Sequence, residues 1–168
     1  MAGCCGGPTH VVVELEYLVV DGETCDRCGD TRVGVRTAVD DARRLLAREA
    51  VTLELVEREL APEDLADSNR VIVNGRAAEE WLGGVSVMSD CPSCAEFVGE
   101  PSCCREIEIG GVRTEAVGHD VVFDAIMAAA GLAPAGVPGE ACCGGAAVAA
   151  DSAHPALTVT LVTGPGCG

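Results

Sequence analysis

Val11-Val12-Val13-Glu14-Leu15-Glu16-Tyr17-Leu18-Val19-Val20 runs through Asp21-Gly22-Glu23-Thr24 into Cys25-Asp26-Arg27-Cys28, and the fold is read outward from this stretch. Val13, Leu15 and Tyr17 alternate with Glu14 and Glu16, the period of a strand with one buried face. The Asp-Gly turn delivers a Cys-x-x-Cys pair. Beyond it Val35, Ala38, Val39, Ala42, Leu45 and Leu46 keep helical spacing, which predicts a helix over Val35–Glu49 with Asp40 and Arg44 as an acid-first pair one turn apart. A second strand is predicted at Val51–Val56, where Val51, Leu53 and Leu55 alternate with Thr52 and Glu54. Two strands around such a helix form a βαβ unit with parallel strands.

Farther along, Arg70–Val73 reads as a third strand that ends at the tight-turn dipeptide Asn74-Gly75. Ala77–Leu82 reads as a short strand passing into a helical turn. Met88–Cys104 carries four cysteines and few regular signals, and is expected to be a long functional loop. Cys104–Val117 predicts a hairpin around Gly110-Gly111, with Ile107 and Ile109 alternating with Glu106 and Glu108. A last helix is expected from about Asp120 to Ala130, with Gly131 suited to the position just past its end. From Ala133 onward the chain turns to Ala, Gly and Pro, which reads as a flexible tail with one further candidate strand at Ala156–Thr163. The organisation expected is a Cys/Gly-rich N-terminal arm at 1–9, one α/β domain at 10–132, and a Cys-containing tail at 133–168.

Composition narrows the function classes. The chain has 168 residues, enough for a domain with a real core, and hydrophobic residues make up 48%, too many for a disordered acidic tail. Aromatics are only 2%, which starves any mechanism built on base stacking. The formal net charge of −16 repels phosphate backbones and anionic membranes, so neither nucleic acid nor a membrane is expected as a partner. There is no apolar run of membrane-spanning length and no basic-then-apolar leader, so the expected location is cytoplasmic.

Eleven cysteines remain to be explained, an odd count that argues against a structural disulfide framework. Cys25 and Cys28, placed between a strand and a helix, suit thiol-disulfide exchange. The helix N-terminus favours the thiolate, Arg27 favours it further, and the second cysteine can resolve a mixed disulfide. The same pair followed by Gly29 also has the form of a zinc knuckle, and Cys91-Pro92-Ser93-Cys94 could supply the other half of a four-thiolate site. Cys91, Cys94, Cys103 and Cys104 form a second local cluster. Adjacent cysteines chelate one small tetrahedral ion poorly but suit soft ions that accept two or three thiolates in open geometry, such as trivalent arsenic and divalent mercury. The bland alternative is that Cys103 or Cys104 is a small buried hydrophobe entering a strand. Cys4-Cys5 and Cys142-Cys143 sit in Gly-rich segments where a core role is a poor explanation, and read as scavengers of soft ions or electron-passing arms. His10, His119 and His154 form no ligand pattern, and His119 reads as a helix-start residue.

Taken in order, Thr24-Cys25-Asp26-Arg27-Cys28-Gly29, Ser68 to Arg76, Glu80-Trp81-Leu82, Cys91-Pro92-Ser93-Cys94 and Cys104-Arg105 resemble an uncharacterised prokaryotic thioredoxin-like family, domain of unknown function 2703, over about residues 10 to 132. The resemblance implies a thioredoxin-like α/β fold, a central mixed sheet with flanking helices, and no assigned reaction. By position it makes Cys25 the attacking thiol and Cys28 the resolving one. Thioredoxins carry a cis-proline before the third core strand; here Asn69 stands before Arg70, which weakens the oxidoreductase reading and leaves room for metal at Cys25 and Cys28. The leading expectation is a thiolate protein that binds or transfers a soft metal or metalloid ion of the mercury, arsenite or zinc class, with no organic cofactor. Its alternatives are a thiol-disulfide oxidoreductase acting on a protein or small-molecule disulfide, and an interaction domain stapled by structural zinc.

Overall fold

Residues 10–132 are described by the computed structural model; the arm with Cys4 and Cys5, and the tail with Cys142, Cys143, Cys167, His154 and the candidate strand Ala156–Thr163, lie outside them. The elements are β1 (His10–Leu18), α1 (Asp26–Leu46), β2 (Thr52–Leu60), β3 (Arg70–Val73), β4 (Arg76–Ala77), β5 (Val85–Asp90), α2 (Pro92–Val98), β6 (Cys103–Ile109), β7 (Val112–Thr114) and α3 (His119–Ala129). They build a mixed α/β fold with flanking helices. A four-stranded sheet in the order β2-β1-β3-β4 pairs β1 parallel with β2 and antiparallel with β3, as the βαβ reading requires. The strands β5-β6-β7 form a second, antiparallel sheet.

The alternation in β1 does what it predicts. Val11, Val13 and Leu15 are fully buried, and Tyr17 nearly so. Glu14 and Glu16 take the other face, where Glu16 lies opposite Arg58 of β2 and Arg70 of β3 and is held at 3.0 and 3.7 Å by their guanidinium groups. The buried stripe of α1, Val35, Ala38, Val39, Ala42 and Leu46, packs over this sheet with Val122, Ala125 and Ile126 of α3. Each large aliphatic side chain so buried contributes roughly 1.5–3 kcal/mol relative to exposure. Gly34 lets α1 pass close to the start of α3, because a Cβ there would stand 3.0 Å from the Val117 carbonyl oxygen and 3.1 Å from the His119 nitrogen.

Several boundaries differ from expectation. The helix α1 begins at Asp26 instead of Val35, so Cys25 is its N-cap and Cys28 lies in its first turn. Its buried residues start with Arg27, Cys28 and Thr31 before reaching Val35, and those charged, sulfur-bearing and polar members hide the helical period from a hydrophobicity reading. Leu45 is exposed, and the expected Asp40–Arg44 pair is replaced by Asp40–Arg43 at 3.3 Å and Asp41–Arg44 at 3.0 Å, each three residues apart. The stretch expected as a loop over Met88–Cys104 holds the end of β5 and the short helix α2. There Cys91 is the N-cap and Pro92 takes the first helical turn, where its missing N–H goes unmissed. Asn74 and Gly75 both have positive φ, 48° and 78°, in the tight turn between β3 and β4. His119 opens α3, and Gly131, at φ 75°, follows its end. Among the described residues no helix is long and apolar enough to cross a membrane.

One buried amide ties the parts together. Asn69 occupies the position before β3 in the left-handed region, at φ 57°, which asparagine tolerates better than most residues. The Thr31 hydroxyl of α1 donates to its Oδ1 at 2.6 Å, and its Nδ2 donates to the Arg105 carbonyl at 2.9 Å and the Glu115 carbonyl at 2.8 Å. Thr31 Oγ1 in turn accepts the Val117 N–H at 2.9 Å. Thr31→Val leaves both partners unsatisfied, and urea denaturation should show a loss of about 1–3 kcal/mol.

His119 supplies a pH-dependent contact. Its pKa is raised, first by the hydrogen bond to Asp120 at 2.8 Å and then by the one to Asp41 at 3.2 Å. A raised folded-state pKa means the imidazolium stabilises the fold fully below its unfolded pKa, about 6.5, and the benefit disappears as pH rises through the folded value. His119→Gln should therefore lower Tm at about pH 5.5 and leave it nearly unchanged at about pH 9.

Candidate metal centre

Two Cys-x-x-Cys segments meet through the ends of three elements. Cys25 caps α1 and Cys28 sits in its first turn; Cys91 caps α2 and Cys94 sits in its first turn. The ladder between β5 and β6 supplies the fifth sulfur. Ser89 pairs with Cys104 and Asp90 with Cys103, and the Cys91 N–H donates to the Ser102 carbonyl at 2.9 Å, so the chain leaving β5 turns into α2 beside the start of β6. Because neighbours on a strand face opposite ways, Cys104 points into the core and Cys103 away from it, toward Asp90 at 4.0 Å.

Cys25, Cys28, Cys91, Cys94 and Cys104 are all buried free thiols. The Sγ atoms of Cys91, Cys94 and Cys104 lie within 4.8 Å of one another, close enough to hold one metal ion. Cys25 Sγ is 3.5 Å from Cys94 Sγ. Cys94 thereby joins the three-sulfur group to Cys25 at the start of α1, and Cys28 follows in that helix's first turn. Cys91 Sγ accepts the Cys94 N–H at 3.4 Å.

Protons are unequally shared among these thiols. Hydrogen bonds from Cys28 and Cys94 pull the Cys25 pKa well below that of a free thiol. Those from Cys28 and Cys94 do the same for Cys104, helped by Ser68, whose hydroxyl is 3.6 Å away, and by the Arg27 charge. Cys28 and Cys94, bonded to Cys104 and Cys25, move upward as the proton-holding partners. Arg27 is buried beside the cluster. Desolvation works against its charge, but Cys91, Cys104 and Glu115 outweigh it and raise its pKa. Its terminal nitrogens reach Glu115 at 3.3 Å, Glu106 at 3.7 Å and the Ser89 hydroxyl at 3.4 Å, while its Nε has no hydrogen-bond partner among the described residues.

All five of these cysteines fall inside residues 11–126, the span matched by the family model described as domain of unknown function (DUF2703). The chain belongs to that family. An uncharacterized protein of Archaeoglobus fulgidus is 33% identical over 117 residues, which is 67% of this chain and 82% of that protein. No solved structure matches.

In this DUF2703 domain the structure gathers Cys25, Cys28, Cys91, Cys94 and Cys104 and turns Cys103 away from the three-sulfur group. Cys4, Cys5, Cys142 and Cys143 lie outside both the matched span and the described residues. His10 stands at the start of β1, bonded to Thr52 at 2.7 Å and paired with Glu54 at 3.4 Å. Sequence reasoning missed Ser68 and the latch residues Thr31 and Asn69 as supports of the sulfur cluster. A buried polar residue inside an apolar helical stripe, as Thr31 is, was the available signal.

Proposed function

We propose that this protein binds and passes on a soft metal or metalloid ion, of the zinc, mercuric or arsenite class, through its buried thiolates. The observation that carries the reading is the trio Cys91, Cys94 and Cys104, two sulfurs from the start of α2 and one from β6 within 4.8 Å of one another. Thiolate sulfur selects soft cations over the oxygen-seeking magnesium and calcium. Burial excludes competing water, and Arg27 offsets negative charge that would otherwise be costly in a desolvated site. Three of the five thiols have no exposed surface, which protects a bound ion from casual exchange.

A second reading is favoured by one contact. Cys25 Sγ, at the N-terminus of a long helix with its thiolate favoured, lies 3.5 Å from Cys94 Sγ. As a thiol-disulfide oxidoreductase, the Cys25 thiolate would attack a substrate disulfide and release one substrate thiol. Cys28 or Cys94 would then attack the mixed disulfide and release the second, leaving an intramolecular disulfide on the protein.

Native mass spectrometry of the full chain with zinc, mercuric or arsenite ion should show one retained ion at the cluster, lost when Cys91, Cys94 and Cys104 are changed to Ser. Failure of the wild type to retain any of the three ends the metal reading. For the second reading, Cys25→Ser should abolish turnover of a small-molecule disulfide, and undiminished turnover excludes it.

A further inference from the structure

One of the three sulfurs that can share an ion has a further sulfur neighbour outside the group. Cys91, Cys94 and Cys104 lie within 4.8 Å of one another, and Cys25 is not a member of that set. Yet Cys25 Sγ stands 3.5 Å from Cys94 Sγ, across 69 positions of sequence. Cys94 therefore faces two competing partners: an ion held by the trio, and the sulfur of Cys25.

Resting on the reading that the trio holds a soft ion, we propose that Cys25 and Cys94 are the site of an oxidation-driven disulfide that takes Cys94 away from the ion and so expels it. The thiolate is the metal ligand, and a sulfur bonded to another sulfur has lost that charge. Closing from 3.5 Å to the disulfide bond length of about 2.0 Å is a movement of two side chains at the starts of two helices. The ion is left with Cys91 and Cys104 alone, one direct ligand short. By linkage, a bound ion makes the same pair harder to oxidise.

Placement in the fold gives the two sulfurs different parts. Cys25 keeps 3% exposure and Cys91 2%, while Cys94 and Cys104 keep none, so a small oxidant reaches Cys25 without entering as far as the innermost ligands. Cys25 is also the N-cap of the 21-residue α1, where the free N–H groups of the helix favour a thiolate. The attacking sulfur thus lies outside the ion site and the resolving sulfur inside it. The pairing differs from the one that Cys-x-x-Cys spacing suggests, Cys25 with Cys28.

The oxidant is a hydroperoxide. The Cys25 thiolate attacks one peroxide oxygen, the O–O bond breaks, Cys25 becomes a sulfenic acid, and hydroxide leaves. Cys94 sulfur then lets go of the ion and attacks Cys25 sulfur. The S–S bond forms, the S–O bond breaks, and a second hydroxide leaves. Two electrons pass from the two sulfurs to the peroxide, and both hydroxides take protons from solvent to become water. Cys91 and Cys104 take up protons as the ion departs.

The test uses the full chain with Cys4, Cys5, Cys142, Cys143 and Cys167 changed to Ser, so that oxidation at those positions does not add to the signal. Zinc is the probe, because it has no redox chemistry and its release reports on sulfur alone. Hydrogen peroxide is added to the zinc-loaded protein, freed zinc is read with a chromogenic chelator, and the disulfide is located by non-reducing tryptic mapping. Cleavage after Arg27 puts Cys25 and Cys28 on different peptides, and fragmentation of the linked peptide assigns the bond among Cys91, Cys94, Cys103 and Cys104. Zinc should be freed in step with a Cys25–Cys94 disulfide, and a phosphine reductant should restore binding. Losing a direct ligand should weaken zinc at least as much as losing an outer partner, about tenfold or more. In Cys25→Ser, the fraction of loaded zinc freed by peroxide should fall to the level seen without peroxide. A Cys25–Cys28 disulfide, undiminished release from Cys25→Ser, or zinc kept by the disulfide-bonded protein overturns the switch while leaving ion binding intact. So does a Cys25→Ser variant that folds by circular dichroism but takes up no zinc, since Cys25 is then a ligand. The mapping needs no substitution within the cluster and decides the matter even where that variant does not fold. Failure of the reduced protein to retain zinc overturns the underlying reading instead.

Discussion

Everything at the sulfur cluster depends on the side chain of Asn69. Its amide spans three pieces of chain: Thr31, one turn beyond Cys28 on α1; Arg105, the neighbour of Cys104 on β6; and Glu115, on the approach to α3. The residue before it, Ser68, contacts Cys104 directly. The thiols of α1 are thereby held against the thiol of β6 by hydrogen bonds of fixed length, in an interior where an unpaired amide is far costlier than in water. The left-handed backbone at Asn69 turns the chain so that one side chain can reach all three.

The rest of the site follows from that anchor. Once β6 is held beside α1, the β5–β6 register sets Ser89 opposite Cys104, and the chain leaving β5 must enter α2 at Cys91. Cys94 then falls 3.5 Å from Cys25. Two helices, capped by cysteines of two similar Cys-x-x-Cys segments, point their first turns at one another across the end of a strand. Buried Arg27 links the cluster to partly buried Glu106 and to exposed Glu115.

Local pattern made the four-stranded sheet legible. The alternation of Val13, Leu15 and Tyr17 locates β1, the spacing of Val35 through Leu46 locates most of α1, and Asn74-Gly75 marks a tight turn. The first turns of α1 stayed hidden because their buried residues are Arg27, Cys28 and Thr31, which do not register as an apolar stripe. The helix α2 stayed hidden because seven residues are fewer than the window in which a helical period can be counted.

The amino-acid sequence by itself determined the chemistry available here: many thiols, an acidic surface, few aromatics, and a strand-helix-strand unit carrying the first thiol pair. Those are properties of composition and of near neighbours, which local spacing records. Only the tertiary structure decided which thiols meet. Cys104 joins the cluster and Cys103 does not, although they are adjacent, because strand alternation sends one inward and the other out. Cys25 and Cys94 touch across 69 positions of sequence. That contact is set by sheet register and by the hydrogen bonds of Asn69, and interactions between distant segments leave no period in the chain to read.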